Sequence, residues 1–279
     1  MSEDPKGLQM MLPAKAENVA VVRHALAGLA EEMGMDEAGL ADLKTVVTEA
    51  CMNVVVHAYG GEAGPLSVEA EPRTDGLFVV VRDSGEGIRP EVDAEQPSLR
   101  LGLSLIAALS NSFAISGELG GGTEIRMLMP LHGEEVGGER ARTNGSAAEH
   151  PAQEATEIVV GQPELLGPVL ARLVGALAAR RDLSIDRISD AVLVTDAIAA
   201  GAPPAFADGH VRIALEDREN GLELRLGPME DGGAERLRQR LDVPEIDGSL
   251  EALADELAVD QGSDGDYLMI RFAAAERQG

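Results

Sequence analysis

Apolar positions recur at two different periods along the chain, and the changes of period divide it into elements. From Glu17 to Met33, the residues Val19, Val22, Leu26, Leu29 and Met33 return every three or four positions, which predicts a helix closed by Gly34. Asp36 is placed to cap a second helix, which runs to about Tyr59. Shorter stretches alternate instead. Residues 8–12, ended by Pro13, read as a strand, and so do 66–71 and 77–82, joined through a hairpin turn at Thr74-Asp75-Gly76. A polar loop over 88–98 precedes an apolar helix over 101–110, and strands at 112–117 and 123–129 flank Gly120-Gly121-Gly122. Helices packed on one face of a mixed, mostly antiparallel sheet make an α+β fold, a two-layer α/β sandwich.

The periodicity stops at 132–156, a Gly-, Glu-, Ala-, Arg- and Ser-rich stretch that reads as a flexible linker. Beyond it the first pattern returns. Val169, Leu173 and Leu177 repeat the first helical stripe, and Asp190 to Ala197 parallels Leu43 to Ala50, 147 residues earlier. Asn220-Gly221-Leu222 likewise matches Asp75-Gly76-Leu77 at an offset of 145. An internal duplication is the expectation, with domains at 1–131 and 157–279. The second copy is degenerate: Asn53 falls opposite Ala200, His57 opposite Pro204 and Asp83 opposite Pro228, while Asp196 stands where Glu49 would be.

Charge narrows the function. A formal charge of −26 and a pI near 4.4 repel phosphate backbones, which argues against a nucleic-acid partner. One cysteine excludes an internal disulfide and a cysteine-based metal cluster. With no Trp, two Tyr and four Phe, the cores must be built from Val, Leu, Ile, Met and Ala. No apolar stretch approaches the roughly 20 residues that cross a bilayer, and the amino terminus lacks a signal-peptide pattern. The expectation is a cytoplasmic protein with no membrane partner.

Two clusters carry the chemistry. Glu49 and Asn53 lie four apart in an apolar helical segment, so a carboxylate and a carboxamide stack on one face, one turn apart. Desolvated polar groups need partners, and a bound nucleotide with its magnesium ion would supply them. The second cluster is Asp83-Ser84-Gly85-Glu86-Gly87. His24, among Val21, Val22, Ala25 and Leu26, reads as a helix residue rather than a phospho-acceptor, and Cys51 as a small core residue.

At these residues the chain resembles the GHKL ATPase superfamily, and within it the bacterial anti-sigma-factor serine kinases. Thr48 to Tyr59 resembles that branch's N-box, Val81 to Ile88 its first glycine box, Leu99 to Ile106 its Arg-x-Gly-x-Gly segment, and Gly120 to Thr123 its last box. The resemblance covers residues 8–130, with the boxes in order. It departs at Ser104, which replaces the second glycine of Gly-x-Gly, and in a short lid carrying Glu91, Asp93 and Glu95.

The resemblance implies ATP and Mg²⁺ as cofactors and assigns the residues. Asp83 would accept from the adenine amino group, with Gly85 and Gly87 allowing close approach to the base. Asn53 would offer its amide oxygen to Mg²⁺. Glu49 would be the general base on the attacking hydroxyl. Arg100 would balance charge at the terminal phosphate, and amides near Gly102, Leu103 and Ser104, at a helix amino terminus, would hold phosphate oxygens. Thr123 would reach the adenine edge. The implied function is an ATP-binding anti-sigma-factor-like regulator, a serine/threonine protein kinase acting on a small antagonist protein and holding or releasing a sigma factor. The alternative is an ATP-dependent sequestering module without turnover. The duplication adds the expectation of an intramolecular pseudo-dimer, one half active and one inactive.

Overall fold

The computed structural model describes residues 6–87, 97–117, 120–131, 156–180, 183–202, 205–206, 210–218, 221–241 and 253–273. Most of the predicted lid and linker lies outside them. The chain divides into two compact units, with the boundary between Thr156 and Glu157.

The first unit runs β1 (Leu8–Pro13), α1 (Ala16–Glu32), α2 (Glu37–Asn53), a π-helical turn (Val54–Ala58), β2 (Pro65–Arg73), β3 (Gly76–Asp83), α3 (Pro97–Leu109), β4 (Ser112–Gly117) and β5 (Thr123–Met129). Its strands lie in the order β4-β5-β3-β2-β1, and all four neighbouring pairs are antiparallel. The mixed sheet expected from the sequence is therefore antiparallel throughout in this unit.

Alternation along the strands makes one face of the sheet apolar. One cross-strand row runs Met10, Val68, Val81, Ile125 and Ile115, and the next runs Leu8, Ala70, Val79, Met127 and Phe113. Against this face lie the buried stripes of α1 (Val19, Val22, Leu26, Leu29) and α2 (Leu43, Val46, Val47, Ala50). Asp36 caps α2 by accepting from the Gly39 amide at 2.7 Å.

Two differences from the sequence reading matter for the site. The second helix is α-helical only to Asn53 and then widens into the π turn Val54–Ala58. Pro97 opens α3 four residues earlier than the apolar run predicts, a position that suits proline because its missing N–H would find no partner in a first turn.

The second unit runs β6 (Thr156–Val160), a 3₁₀ turn (Pro163–Leu165), α4 (Leu166–Arg180), α5 (Ile185–Gly201), β7 (Val211–Arg218), β8 (Gly221–Met229), α6 (Gly233–Arg240), β9 (Glu256–Gly262) and β10 (Gly265–Ala273). Its strand order, β6-β7-β8-β10-β9, is that of the first unit read from β1 to β4. Both hairpin glycines match as well: Gly76 has φ 150° and Gly221 φ 151°, and a Cβ on either would strike a carbonyl oxygen of the neighbouring strand at 2.2 Å.

Candidate functional site

Strand parity delivers the first site residue. Leu77, Val79 and Val81 of β3 face the helices, so Asp83, two positions on, points inward as well. It is 4% exposed. Its Oδ1 accepts from the Gly85 amide at 2.8 Å, and Thr123 hydrogen-bonds to it through both hydroxyl and amide. Burial still outweighs these donors and holds its carboxyl above the usual carboxylate range.

Close backbone packing holds the loop after Asp83. Gly85 lies where a Cβ would come within 2.1 Å of the Ala58 carbonyl oxygen, and Gly122 where one would come equally close to the Asp83 carbonyl oxygen. Hydrogen bonds run from Glu86 N to Ala58 O (3.1 Å), from Gly122 N to Gly85 O (3.1 Å) and from Gly120 N to Glu86 O (2.9 Å). The first and last glycine boxes are thus laced together around Asp83 and Thr123, and Gly87 turns out of the loop at φ 76°.

On the other side of the site, Glu49 and Asn53 lie on α2 and converge on Gly102 of α3. A Cβ on Gly102 would meet Glu49 Oε2 at 2.9 Å, Asn53 Oδ1 at 3.4 Å and Asn53 Nδ2 at 3.6 Å. Asn53 Nδ2 is buried without a hydrogen-bond partner among the described residues. Leaving a buried N–H unpaired costs kilocalories, so this amide suits an acceptor such as a phosphate oxygen. A carboxamide and a carboxylate with no third acidic ligand fit a magnesium ion that takes its remaining oxygens from phosphates and water. Among the described residues no group of three His, Cys, Asp or Glu side chains could hold a metal by itself.

The amides of Gly102, Leu103 and Ser104 are placed differently from the expectation. Because α3 begins at Pro97, they lie beyond its first turn, where helix amides bond to carbonyls four residues back. What Gly102 contributes is its missing Cβ. Arg100 belongs to the first turn of α3, and its side chain lies outside the described residues.

Sequence reasoning missed Tyr59. Its hydroxyl accepts from the Ser84 amide at 2.8 Å and donates to the Pro65 carbonyl, and burial together with the nearby Asp83 charge pushes its pKa up to about 12. The signal available was its place directly after the N-box and before Gly60-Gly61. Sequence reasoning also missed a charge network on the opposite face of the sheet. There Arg82 pairs with Glu124 and, at 2.6 Å, with Glu69, while Arg126 also pairs with Glu124. This network fixes β3 to β5 next to Asp83 and Thr123.

Residues 12–129 match the histidine kinase-like ATPase domain family. The serine-protein kinase RsbW of Bacillus velezensis is 33% identical over 152 residues, 49% of this chain and 92% of that protein. The RsbW proteins of Bacillus mycoides and Bacillus cereus are each 38% identical over 85 residues. That match takes in 30% of this chain and 53% of theirs, so the chain spans about half the length of these two relatives.

Proposed function

Since the chain belongs to the histidine kinase-like ATPase family, in its anti-sigma-factor serine-kinase branch, we propose that it binds ATP with Mg²⁺ in the first unit and phosphorylates a serine on a small antagonist protein. In this reading, phosphorylation decides whether a sigma factor is held or released. The observation that carries the reading is the buried, partnerless amide of Asn53 beside Glu49 and Gly102.

Asp83 accepts a hydrogen bond from the adenine amino group, and Thr123 holds that carboxylate in place. Asn53 offers its amide oxygen to the metal. Bound magnesium would neutralise phosphate charge and orient the terminal phosphate. Glu49 accepts the proton of the attacking serine hydroxyl, and Arg100 balances charge at the transferred group. Gly102 leaves room for both α2 side chains.

A second reading, ATP as a conformational ligand that gates partner binding without transfer, draws on the helical placement of the Gly102–Ser104 amides. The variant Glu49→Ala separates the two. Under the kinase reading it abolishes phosphoryl transfer and leaves ATP affinity within about threefold of wild type, since a general base acts in the transition state rather than in binding. Wild-type protein that binds ATP but transfers no phosphate to candidate antagonists refutes the kinase reading.

The second unit is read as a degenerate copy that stands in for a second protomer. Its support is the shared strand order and the matched hairpin glycines. Asp196, Ala200 and Pro228 take the places of Glu49, Asn53 and Asp83. A cleft of about 660 Å³ there, between Pro228–Gly232 and Gln261–Asp266, is lined by Glu230, Asp231, Asp264 and Asp266 with no basic residue, an unsuitable surface for phosphates. Light scattering should report a monomer. A homodimer assembled through the first unit would refute the pseudo-dimer.

A further inference from the structure

Tyr59 joins three separate pieces of the first unit. Its ring lies over Gly64, where a Cβ would come within 2.2 Å of it. Its hydroxyl donates to the carbonyl of Pro65, where β2 begins, and accepts from the amide of Ser84, the residue after Asp83. One residue before it, the Ala58 carbonyl takes the Glu86 amide and lies against Gly85. The end of the π turn therefore grips the Asp83–Gly87 loop at Ser84, Gly85 and Glu86. The same helix carries Asn53 immediately before that turn and Glu49 one turn further upstream.

Asp83 is aimed by three hydrogen bonds, from the Gly85 amide and from the hydroxyl and amide of Thr123. These donors belong to the laced loops, and the Ser84 amide is the first backbone group beyond β3. If Ser84 lost its acceptor, the peptide plane next to Asp83 would be held less firmly, and the aim of the carboxylate would loosen.

We infer that Tyr59 is a positioning residue for base selection: its hydroxyl fixes the Ser84 peptide, and through it the Asp83 carboxylate, so that the site prefers a purine with a 6-amino group over one with a 6-oxo group. The inference rests on the nucleotide reading of the first unit. It adds a residue that touches neither base nor phosphate.

The test is calorimetry with Mg-ATP and Mg-ITP on the full chain, comparing wild type, Tyr59→Phe and Gly64→Ala. Phenylalanine keeps the ring and removes the hydroxyl, and alanine at 64 displaces the ring while the hydroxyl remains. Wild type should prefer ATP. Tyr59→Phe should weaken ATP about fivefold, the effect of one neutral hydrogen bond, and change ITP less than twofold, so the ATP/ITP ratio falls about fivefold. Gly64→Ala should lower the ratio in the same direction, and it carries the test if Tyr59→Phe does not fold. A purely architectural role would weaken both nucleotides together and leave the ratio unchanged, and that result overturns the inference. Wild type that binds ATP and ITP equally overturns it too, while leaving nucleotide binding intact. Wild type that binds neither refutes the nucleotide reading itself.

Discussion

Replacing Gly102 with alanine should make the protein more stable and less active at once. Gly102 is the sixth residue of α3, inside the helix, where alanine is favoured over glycine by about 1 kcal/mol. For a unit of this size, that raises Tm by roughly 3–5 °C. The new methyl would stand 2.9 Å from Glu49 Oε2 and 3.4 Å from Asn53 Oδ1. The Glu49 oxygen is the far end of a flexible side chain, so it moves aside at small cost, by about half an ångström or more to reach ordinary van der Waals contact. The backbone of α2 need not follow. A general base displaced on this scale loses roughly tenfold to a hundredfold in transfer rate, because near-attack geometry is lost while ground-state binding is retained. Differential scanning calorimetry, ADP titration with Mg²⁺, and transfer of labelled phosphate from ATP to an antagonist protein give the three readings. The expected set is higher Tm, ADP affinity within about threefold and reduced transfer. A lower Tm would show that Glu49 and Asn53 cannot yield, so the pair is rigid packing. A raised Tm with unchanged transfer would show that the position of Glu49 is irrelevant to the chemistry.

Three further outcomes follow from charge and burial. Burial raises the folded-state pKa of Asp83 above its usual 3.8, so its contribution to stability is full below about pH 4 and is lost as pH rises through the raised value. Asp83→Asn should therefore raise the Tm of the nucleotide-free protein at pH 7 and weaken ATP binding, with the Tm gap closing below about pH 4; a lower Tm at pH 7 would count against this. Burial also pushes the Cys51 thiol from 9.0 and the Tyr59 hydroxyl from 10.0 up to about 12, so both favour the fold below about pH 9 and lose that effect as pH rises towards 12. Urea midpoints should fall over that window, and less steeply in a Cys51→Ala, Tyr59→Phe double variant. Glu124 is 4% exposed between Arg82 and Arg126, so Glu124→Ala removes the carboxylate they share, though Arg82 keeps Glu69, and should cost about 2 kcal/mol by urea denaturation; a cost below about 1 kcal/mol would make the network a solvated surface feature.

Much of the fold was legible because its elements are set by local period. The inward series Leu77, Val79, Val81 is visible in the sequence, and the same parity carries Asp83 into the interior. What stayed hidden depends on close approach between segments distant in sequence. Gly85 was expected to make room for a base, yet the atom it makes room for in the fold is the Ala58 carbonyl oxygen. Nothing in the apolar spacing marks the widening at Val54–Ala58, since a π turn changes which carbonyl each amide meets without changing which residues are oily. The start of α3 at Pro97 was masked by the polar residues around it, and with it the fact that the Gly102–Ser104 amides belong to the helix. Tyr59 was passed over because its partners, Pro65 and Ser84, are a turn and a strand pair away.

The two-residue period of β3 also limits how this chain can change in length. Arg82 and Asp83 are neighbours with opposite addresses: one is tied into the charge network on the far face, the other is buried beneath the helices. A single residue gained or lost between Gly76 and Asp83 would exchange those addresses, sending a guanidinium inward and the carboxylate out. The hairpin that starts the strand offers no slack, because Arg73 already pairs with Gly76 across a two-residue turn. Working descendants of this chain should therefore vary freely in which apolar residues fill the strand and hardly at all in how many residues it contains.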